Sequence, residues 1–210
     1  MTKPTVIQKE ERLNTISHVI GALFGVMGFY LLLNKNSHKT DYATFSIIVY
    51  SFTFILMFTA SSLYHQVSFA RFRNRLRILD HICIYLLIAG TYTPVALITL
   101  INGNGWDIFV YVWSIAAIGA LLKLFFTGKY EFFSLLLYLA MGWLIVLDFQ
   151  NLLEYTEKFG IRLLFMGGGF YTAGIIFYAI DKIPYNHFIW HLFVLAGAVS
   201  HWFFIFLDVI

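Results

Sequence analysis

The sequence predicts an all-α integral membrane protein, a bundle of seven transmembrane helices forming one domain over residues 1–210. Hydrophobic residues make up 60% of the chain, charged residues only 12%, and the mean hydropathy is +0.78. A soluble domain carries about 25% charged residues and could not hide this much apolar surface from water. A lipid environment removes that conflict, because apolar runs of about 20 residues can cross a bilayer as helices.

The helix count comes from seven apolar runs, which are separated by short polar segments that carry Lys or Arg. The first run follows a polar leader without a small-residue cleavage pattern, so we expect a retained span rather than a signal peptide. The predicted spans cover residues 15–33, 43–65, 79–100, 107–126, 132–148, 161–179 and 186–208. The fifth is short, and the longest connections are predicted at 66–78 and 149–160.

The basic residues predict the orientation. Seven spans place the two termini on opposite sides, and ten of the 14 Lys and Arg residues fall on the side of the N-terminus. The positive-inside rule therefore predicts a cytoplasmic N-terminus and an external C-terminus, in a multi-pass protein of the cell membrane. A net charge of +3, spread over short gaps, argues against a nucleic-acid partner. Membrane lipid is the expected partner.

Several local features carry further expectations. Gly90–Pro94 (GTYTP) should kink or locally unwind the third span, with neighbouring hydroxyls satisfying a freed carbonyl. Lys123, near the end of the fourth span, is expected to snorkel to the headgroups. Met166–Phe170 (MGGGF) and Ala196–Ala198 offer small surfaces for close helix packing. Cys83, the single cysteine, should be a buried thiol and excludes an internal disulfide.

Four ionisable side chains lie at helix ends that share one side of the predicted membrane. His65 ends the second span, Asp80 opens the third, and His187 and His191 open the seventh. The predicted topology places all four at the cytoplasmic face, whereas chance would scatter them over both faces. Ionisable groups within spans are costly and usually mark functional sites.

The spacing of these residues predicts a metal centre. His187 and His191, four residues apart, share one helical face, so both can bind one metal ion, with His65 supplying a third nitrogen. Three imidazoles leave one tetrahedral position open, and a water bound there has a pKa of about 7. Asp80 is the candidate base for that water, and Ser61, one turn before His65, could bond the water or a substrate carbonyl. Zinc is the predicted ion, although imidazole also suits other metals.

The other histidines are expected to be structural. A lone histidine at a helix end usually sits half in water, which is the expectation for His38 and His81. His201 lies ten residues beyond His191, about 15 Å deeper, and therefore cannot share its ion. We expect His201 to hydrogen-bond another helix.

A second polar group opens the first span. Positions 11, 14, 18 and 21 follow a three-and-four spacing that places them on one stripe facing the bundle. Two interpretations are open. The stripe is either a helix cap with an interfacial face, or a set of side chains that orient a metal-bound histidine through its free ring nitrogen. The group comprises Glu11, Asn14, Ser17, His18 and Gly21.

With these residues assembled, the chain resembles the hemolysin III family, the bacterial branch of the progestin and adipoQ receptor superfamily that includes the adiponectin receptors. Four segments from the first to the last helix carry the resemblance, and they are specific in combination. They are ERLNTISH at Glu11–His18, SSLYH at Ser61–His65, LDHICIYLLIAGTYTP at Leu79–Pro94 and HFIWHLFVLAGAVSHW at His187–Trp202.

The resemblance implies a seven-helix bundle with a zinc ion near the cytoplasmic face, bound by His65, His187 and His191. The family's aspartate near the zinc falls on Asp80 and its serine on Ser61. Because superfamily relatives resemble alkaline ceramidases, the resemblance implies a zinc-dependent hydrolase of lipid amide or ester bonds.

The sequence is also compatible with two alternative functions. One is a non-enzymatic receptor or regulator of membrane homeostasis in which zinc is structural. The other is a pore-forming hemolysin, although the uncharged span interiors supply no obvious polar lumen.

Overall fold

The computed structural model describes residues 6–210, and the regular structure of this part of the chain is helical. Its α-helices are α1 (Val6–Lys35), α2 (Ala43–Gln66), α3 (Ala70–Pro94), α4 (Gly105–Phe126), α5 (Glu131–Gly142), α6 (Phe149–Tyr155), α7 (Lys158–Ala179) and α8 (Asn186–Phe204). A 3-10 segment, Leu144–Asp148, joins α5 to α6, and π-helical turns at Val95–Thr99 and Ile205–Val209 extend α3 and α8.

Seven of the resulting helical stretches are long and apolar enough to cross a membrane, which confirms the predicted fold class and span count. They cover Ile7–Lys35, Ala43–Gln66, Ala70–Thr99, Gly105–Phe126, Glu131–Tyr155, Lys158–Ala179 and Asn186–Val209. The direction in which they cross stays a prediction from the basic residues.

Two connections differ from the sequence prediction. Most of the 66–78 gap is helical, because α3 begins at Ala70 and carries its arginines on helical turns. The 149–160 gap contains α6, so the fifth span is a broken helix rather than one short run. The arginines between residues 70 and 78 lower the hydropathy of the first stretch, so its helix was not predicted. The 3-10 segment at Leu144–Asp148 interrupts the fifth span.

The distortion expected at Gly90–Pro94 lies just beyond it, in the π-helical turn where Leu100 donates to the Val95 carbonyl. Proline has no N–H for the carbonyl four residues earlier, so the regular ladder cannot continue unchanged. The hydroxyls nearby bond other carbonyls than the Gly90 carbonyl that Pro94 frees, with Thr91 bonding Leu87 at 2.8 Å and Thr93 bonding Ala89 at 2.9 Å.

Helix α1 lies between α2 and α8, and small residues allow that close approach. A Cβ at Gly21 would overlap the Phe58 ring of α2, and a Cβ at Gly28 would lie 2.5 Å from Trp202 Nε1 of α8. In lipid, helices associate mainly through such close packing, because lipid tails are as apolar as the side chains. The stripe predicted on α1 does face the bundle, since Asn14, His18 and Gly21 are all buried.

Small residues also join α7 to α8, as predicted. Gly167 faces the His201 ring, and Gly197 faces the Tyr171 ring at 2.9 Å from a notional Cβ. Cys83 is fully buried in α3, again as predicted.

The end of the bundle at which α1 begins, and at which α2 ends and α8 begins, is called the basic end below. It also contains the start of α3, the end of α4 and the start of α5. The candidate site lies there.

Candidate metal centre

Two helix termini bring three histidines together at the basic end. His65 lies in the last turn of α2, and His187 and His191 lie in the first two turns of α8. One ring nitrogen from each lies within 4.8 Å of the others, and no other group of this kind was found among residues 6–210. The ring centroids are 4.7 to 5.2 Å apart. The structure therefore groups the three predicted ligands.

The surroundings of His65 fit a metal ligand. Its Nδ1 lies 2.6 Å from Oε2 of Glu11, and a carboxylate can only accept, so Nδ1 carries the proton. Its Nε2 is buried and has no hydrogen-bond partner within residues 6–210. Histidines that bind metals usually donate their second ring nitrogen to a carboxylate in this way. The donor set suits zinc, which imidazole nitrogens bind readily.

Two more residues of the α1 stripe touch these histidines. The Asn14 side-chain amide lies 3.5 Å from Nδ1 of His65. The His18 ring stacks on the His191 ring, with centroids 3.8 Å apart and planes inclined by 24°. Both contacts favour the interpretation of the stripe as a set that orients the histidines over that of a helix cap.

Asp80 and Ser61 lie beside the histidine group without belonging to it. The Ser61 side chain, one turn before His65, interacts with the Asp80 carboxylate, and His65 lies close enough to Asp80 to interact with its charge. Both residues line an internal cavity, together with His187 and His191. The Asp80 carboxylate is thus near the three histidine nitrogens but is not a member of the group that could bind one metal ion.

The cavity runs from this polar end toward the middle of the bundle, between α3, α5, α7 and α8. Beyond Asp80 its wall becomes largely apolar and aromatic, and Gly168 and His201 mark its far part. Its lining includes Ile84, Leu87, Ile88, Leu135, Leu139, Trp143, Ile175, Trp190 and Val194. Only 17% of the most apolar stretch of the span that contains α5 is buried within the protein, against 56% for α2, so most of that span faces away from the bundle.

Lys123 contradicts the sequence prediction. Rather than snorkelling to the headgroups, its side chain is 2% exposed, and Nζ donates to Oε2 of Glu131 at 2.7 Å. The turn at Gly128 brings the first residue of α5 back against the last turn of α4, and so supplies a counter-charge inside the protein. His81, expected to sit half in water, instead lines the cavity with Nδ1 3.7 Å from Oε1 of Glu131.

His201 and His38 behave as the sequence suggested. Nε2 of His201 lies 3.1 Å from the Leu164 carbonyl of α7, a hydrogen bond to another helix. His38 is exposed in the connection between α1 and α2, far along the chain from the histidine group.

Two supporting residues were not predicted. The Arg73 guanidinium forms an ion pair with Glu11, and therefore holds the carboxylate that holds His65. Glu10 accepts hydrogen bonds from the backbone N–H groups of His187, at 3.2 Å, and Phe188, at 3.3 Å. In the sequence, Glu10 belongs to an acidic pair near the start of α1, and Arg73 belongs to a run of arginines. Neither pattern indicates which residue the side chain contacts.

Comparison with known proteins agrees with this architecture. A family model described as haemolysin-III related matches residues 6–202, which is almost the whole described chain. The chain belongs to the haemolysin-III family. It is 40% identical to Hemolysin-3 of Bacillus cereus over 204 residues, covering 97% of this chain and 93% of that protein.

Two further relatives extend the family relationship. The Hemolysin-3 homolog of Bacillus subtilis (strain 168) is 37% identical, covering 93% of this chain and 92% of the relative. Human monocyte to macrophage differentiation factor is 28% identical, covering 96% of this chain and 84% of the relative. This haemolysin-III protein is therefore a multi-pass membrane protein of the progestin and adipoQ receptor superfamily, as its motifs implied.

Proposed function

We propose that this haemolysin-III protein is an intramembrane zinc-dependent hydrolase of lipid amide or ester bonds. The observation that carries the proposal is the grouping of three histidine nitrogens within 4.8 Å beside an apolar cavity that also contains Asp80 and Ser61. Ionisable residues placed within a membrane span usually mark functional sites, and here they lie beside a largely apolar cavity.

His65, His187 and His191 would hold the ion. Zinc bound by three imidazoles supplies a water with a pKa of about 7 and a Lewis acid for a carbonyl oxygen. Glu11 keeps the proton on Nδ1 of His65, which leaves Nε2 as the nitrogen that can bind metal. Arg73 in turn forms an ion pair with the Glu11 carboxylate.

Asp80 is the proposed general base. Because its carboxylate lies beside the histidine group and on the cavity wall, it can accept a proton from the attacking water. Hydrolysis forms a carbon–oxygen bond to the carbonyl carbon and breaks the bond to the leaving nitrogen or oxygen, which Asp80 then protonates. Ser61 would orient the Asp80 carboxylate or donate to the substrate carbonyl.

The proposed substrate is a membrane lipid with a single chain in the cavity. The apolar lining suits a hydrocarbon chain, which would enter from the surrounding lipid beside α5, the span with the smallest buried share. The scissile bond would then lie at the polar end of the cavity, near Asp80 and His191.

Purified protein with defined zinc content provides the test. Elemental analysis should find one zinc per chain, and the His187→Ala/His191→Ala variant should lose it. Asp80→Asn should retain zinc but lose about 10²- to 10⁴-fold in hydrolysis of an acyl-amide and acyl-ester panel. Asp107→Asn, at the exposed start of α4, is the matched control. Stoichiometric zinc without cleavage of any lipid in the panel would refute the hydrolase proposal.

A structural role for the metal is the second candidate, as in a receptor or regulator. One observation favours it, namely that an ion held by these histidines would join α2 to α8 across α1. In that case His65→Ala should lower the melting temperature, and Asp80→Asn should leave the cellular phenotype intact.

Membrane lysis is a third candidate function, because the two Bacillus relatives are named as hemolysins. Dye release from liposomes that depends on oligomer formation would support it. Absence of release at protein densities where zinc is bound would argue against it.

A further inference from the structure

Successive glutamates on α1 contact the two helices that carry the histidine group. Glu11 bonds the ring of His65 on α2, and Glu10 bonds the backbone at the start of α8. Consecutive helical residues point about 100° apart, because an α-helix has 3.6 residues per turn. From its position between α2 and α8, α1 can therefore direct one carboxylate to each neighbour.

The start of α8 needs such a partner. The first N–H groups of a helix have no intrahelical acceptor, and the Tyr185 cap residue provides no side-chain hydrogen bond. Oε1 of Glu10 accepts from the His187 and Phe188 amides, and a carboxylate there also interacts favourably with the helix dipole. His187 lies in this first turn, whereas His191 lies one turn further in, so fraying would displace His187 first.

We propose that Glu10 is a positioning residue for His187, acting through the backbone of α8. Its carboxylate fixes the first turn of α8 and so holds the His187 ring in reach of His65 and His191. This inference rests on the proposed metal site. It assigns to Glu10 a task that parallels the one Glu11 performs for His65, although Glu10 touches the backbone and not the ring.

Zinc affinity, measured by competition with a chromophoric chelator, tests the proposal. Glu10→Ala should weaken zinc binding about tenfold, the lower end for residues that orient metal ligands. Glu10→Gln keeps an acceptor oxygen and should retain most of the affinity. Glu154→Ala, an exposed residue on α6, is the matched control and should not change it.

A double-mutant cycle separates positioning from simple helix capping. In a His187→Ala background Glu10→Ala should have no further effect on zinc affinity, because the ligand it positions is gone. Melting temperatures with and without zinc provide a second readout, and Glu10→Ala should lower the zinc-bound value more than the zinc-free one.

The outcomes distinguish the two proposals. Equal losses of melting temperature with and without zinc, or an undiminished effect in the His187→Ala background, would overturn the role of Glu10 alone. A wild-type protein that binds no zinc would overturn the metal site and this inference with it.

Discussion

The buried ion pair between Lys123 and Glu131 makes an asymmetric prediction for stability. Lys123 is 2% exposed, whereas the Glu131 side chain is 32% exposed. Glu131→Ala leaves a buried ammonium without a counter-charge, a change that costs about 3–5 kcal/mol. Lys123→Met removes the buried charge and leaves a partly exposed carboxylate that still accepts from Gly128 N, so its cost should stay below about 1 kcal/mol.

The difference in unfolding free energy between the two variants is large enough to give distinct melting temperatures. For a chain of about this size, 1 kcal/mol corresponds to roughly 2–4 °C. Glu131→Ala should therefore lower the melting temperature by roughly 6–20 °C, and Lys123→Met by no more than about 4 °C. The double variant should recover most of the loss, because it removes the uncompensated charge.

The chain supplies its own reporter for this measurement. Cys83 is its single cysteine and is fully buried, so a thiol-reactive dye reports unfolding in detergent. Lys129→Met is the matched control, because Lys129 is exposed and lies two positions before α5 begins, and it should leave the transition unchanged. Equal losses for Glu131→Ala and Lys123→Met, or a double variant no better than Glu131→Ala, would refute the reasoning from burial.

Two further pairs of variants test the site and the cavity. Glu11→Gln should weaken zinc binding about 10- to 100-fold in the chelator titration, because it removes the charged acceptor of His65 Nδ1. Arg73→Met breaks a partly exposed ion pair and should change the zinc affinity less than about fivefold. Similar effects of both would contradict a dominant role for the direct contact. Gly168→Leu should fill the far part of the cavity and shorten the lipid chains that bind, as measured by quenching of tryptophan fluorescence with brominated lipids. Gly169→Leu, at an exposed position with no neighbour in reach, is the control and should not. Unchanged chain preference in Gly168→Leu would remove the cavity as the binding space.

Hydropathy was enough to predict the spans but not their ends. The stretch from Ala70 to Ile78 is polar and was predicted to be a connection, yet its arginines sit on continuous turns of α3. A hydropathy pattern measures preference for lipid, whereas a helix continues for as long as its backbone bonds are met. The 3-10 break at Leu144–Asp148 could not be predicted from hydropathy either, because its residues are as apolar as those of a regular span.

The candidate site could be predicted to the extent that it depends on residue type and helical spacing. His187 and His191 share a face by their spacing alone, and the stripe that contains Asn14 and His18 faces inward for the same reason. Glu10 depends on the approach of two segments 177 residues apart, which no local pattern encodes. The pairing of Lys123 depends likewise on the turn that folds α5 back on α4.

The number of protein ligands bears on the choice between catalysis and structure. Structural zinc sites are usually closed by four protein ligands, whereas catalytic sites keep one position open. Among residues 6–210 the histidine group has three members, and His18, stacked on His191 at 3.8 Å, is not one of them. His187 and His191 also line the cavity that Asp80 lines, so a reactant in that cavity would lie beside two of the three histidines. A metal that served only to join α2 to α8 would need neither that space nor a carboxylate beside it, and for this reason we favour hydrolysis.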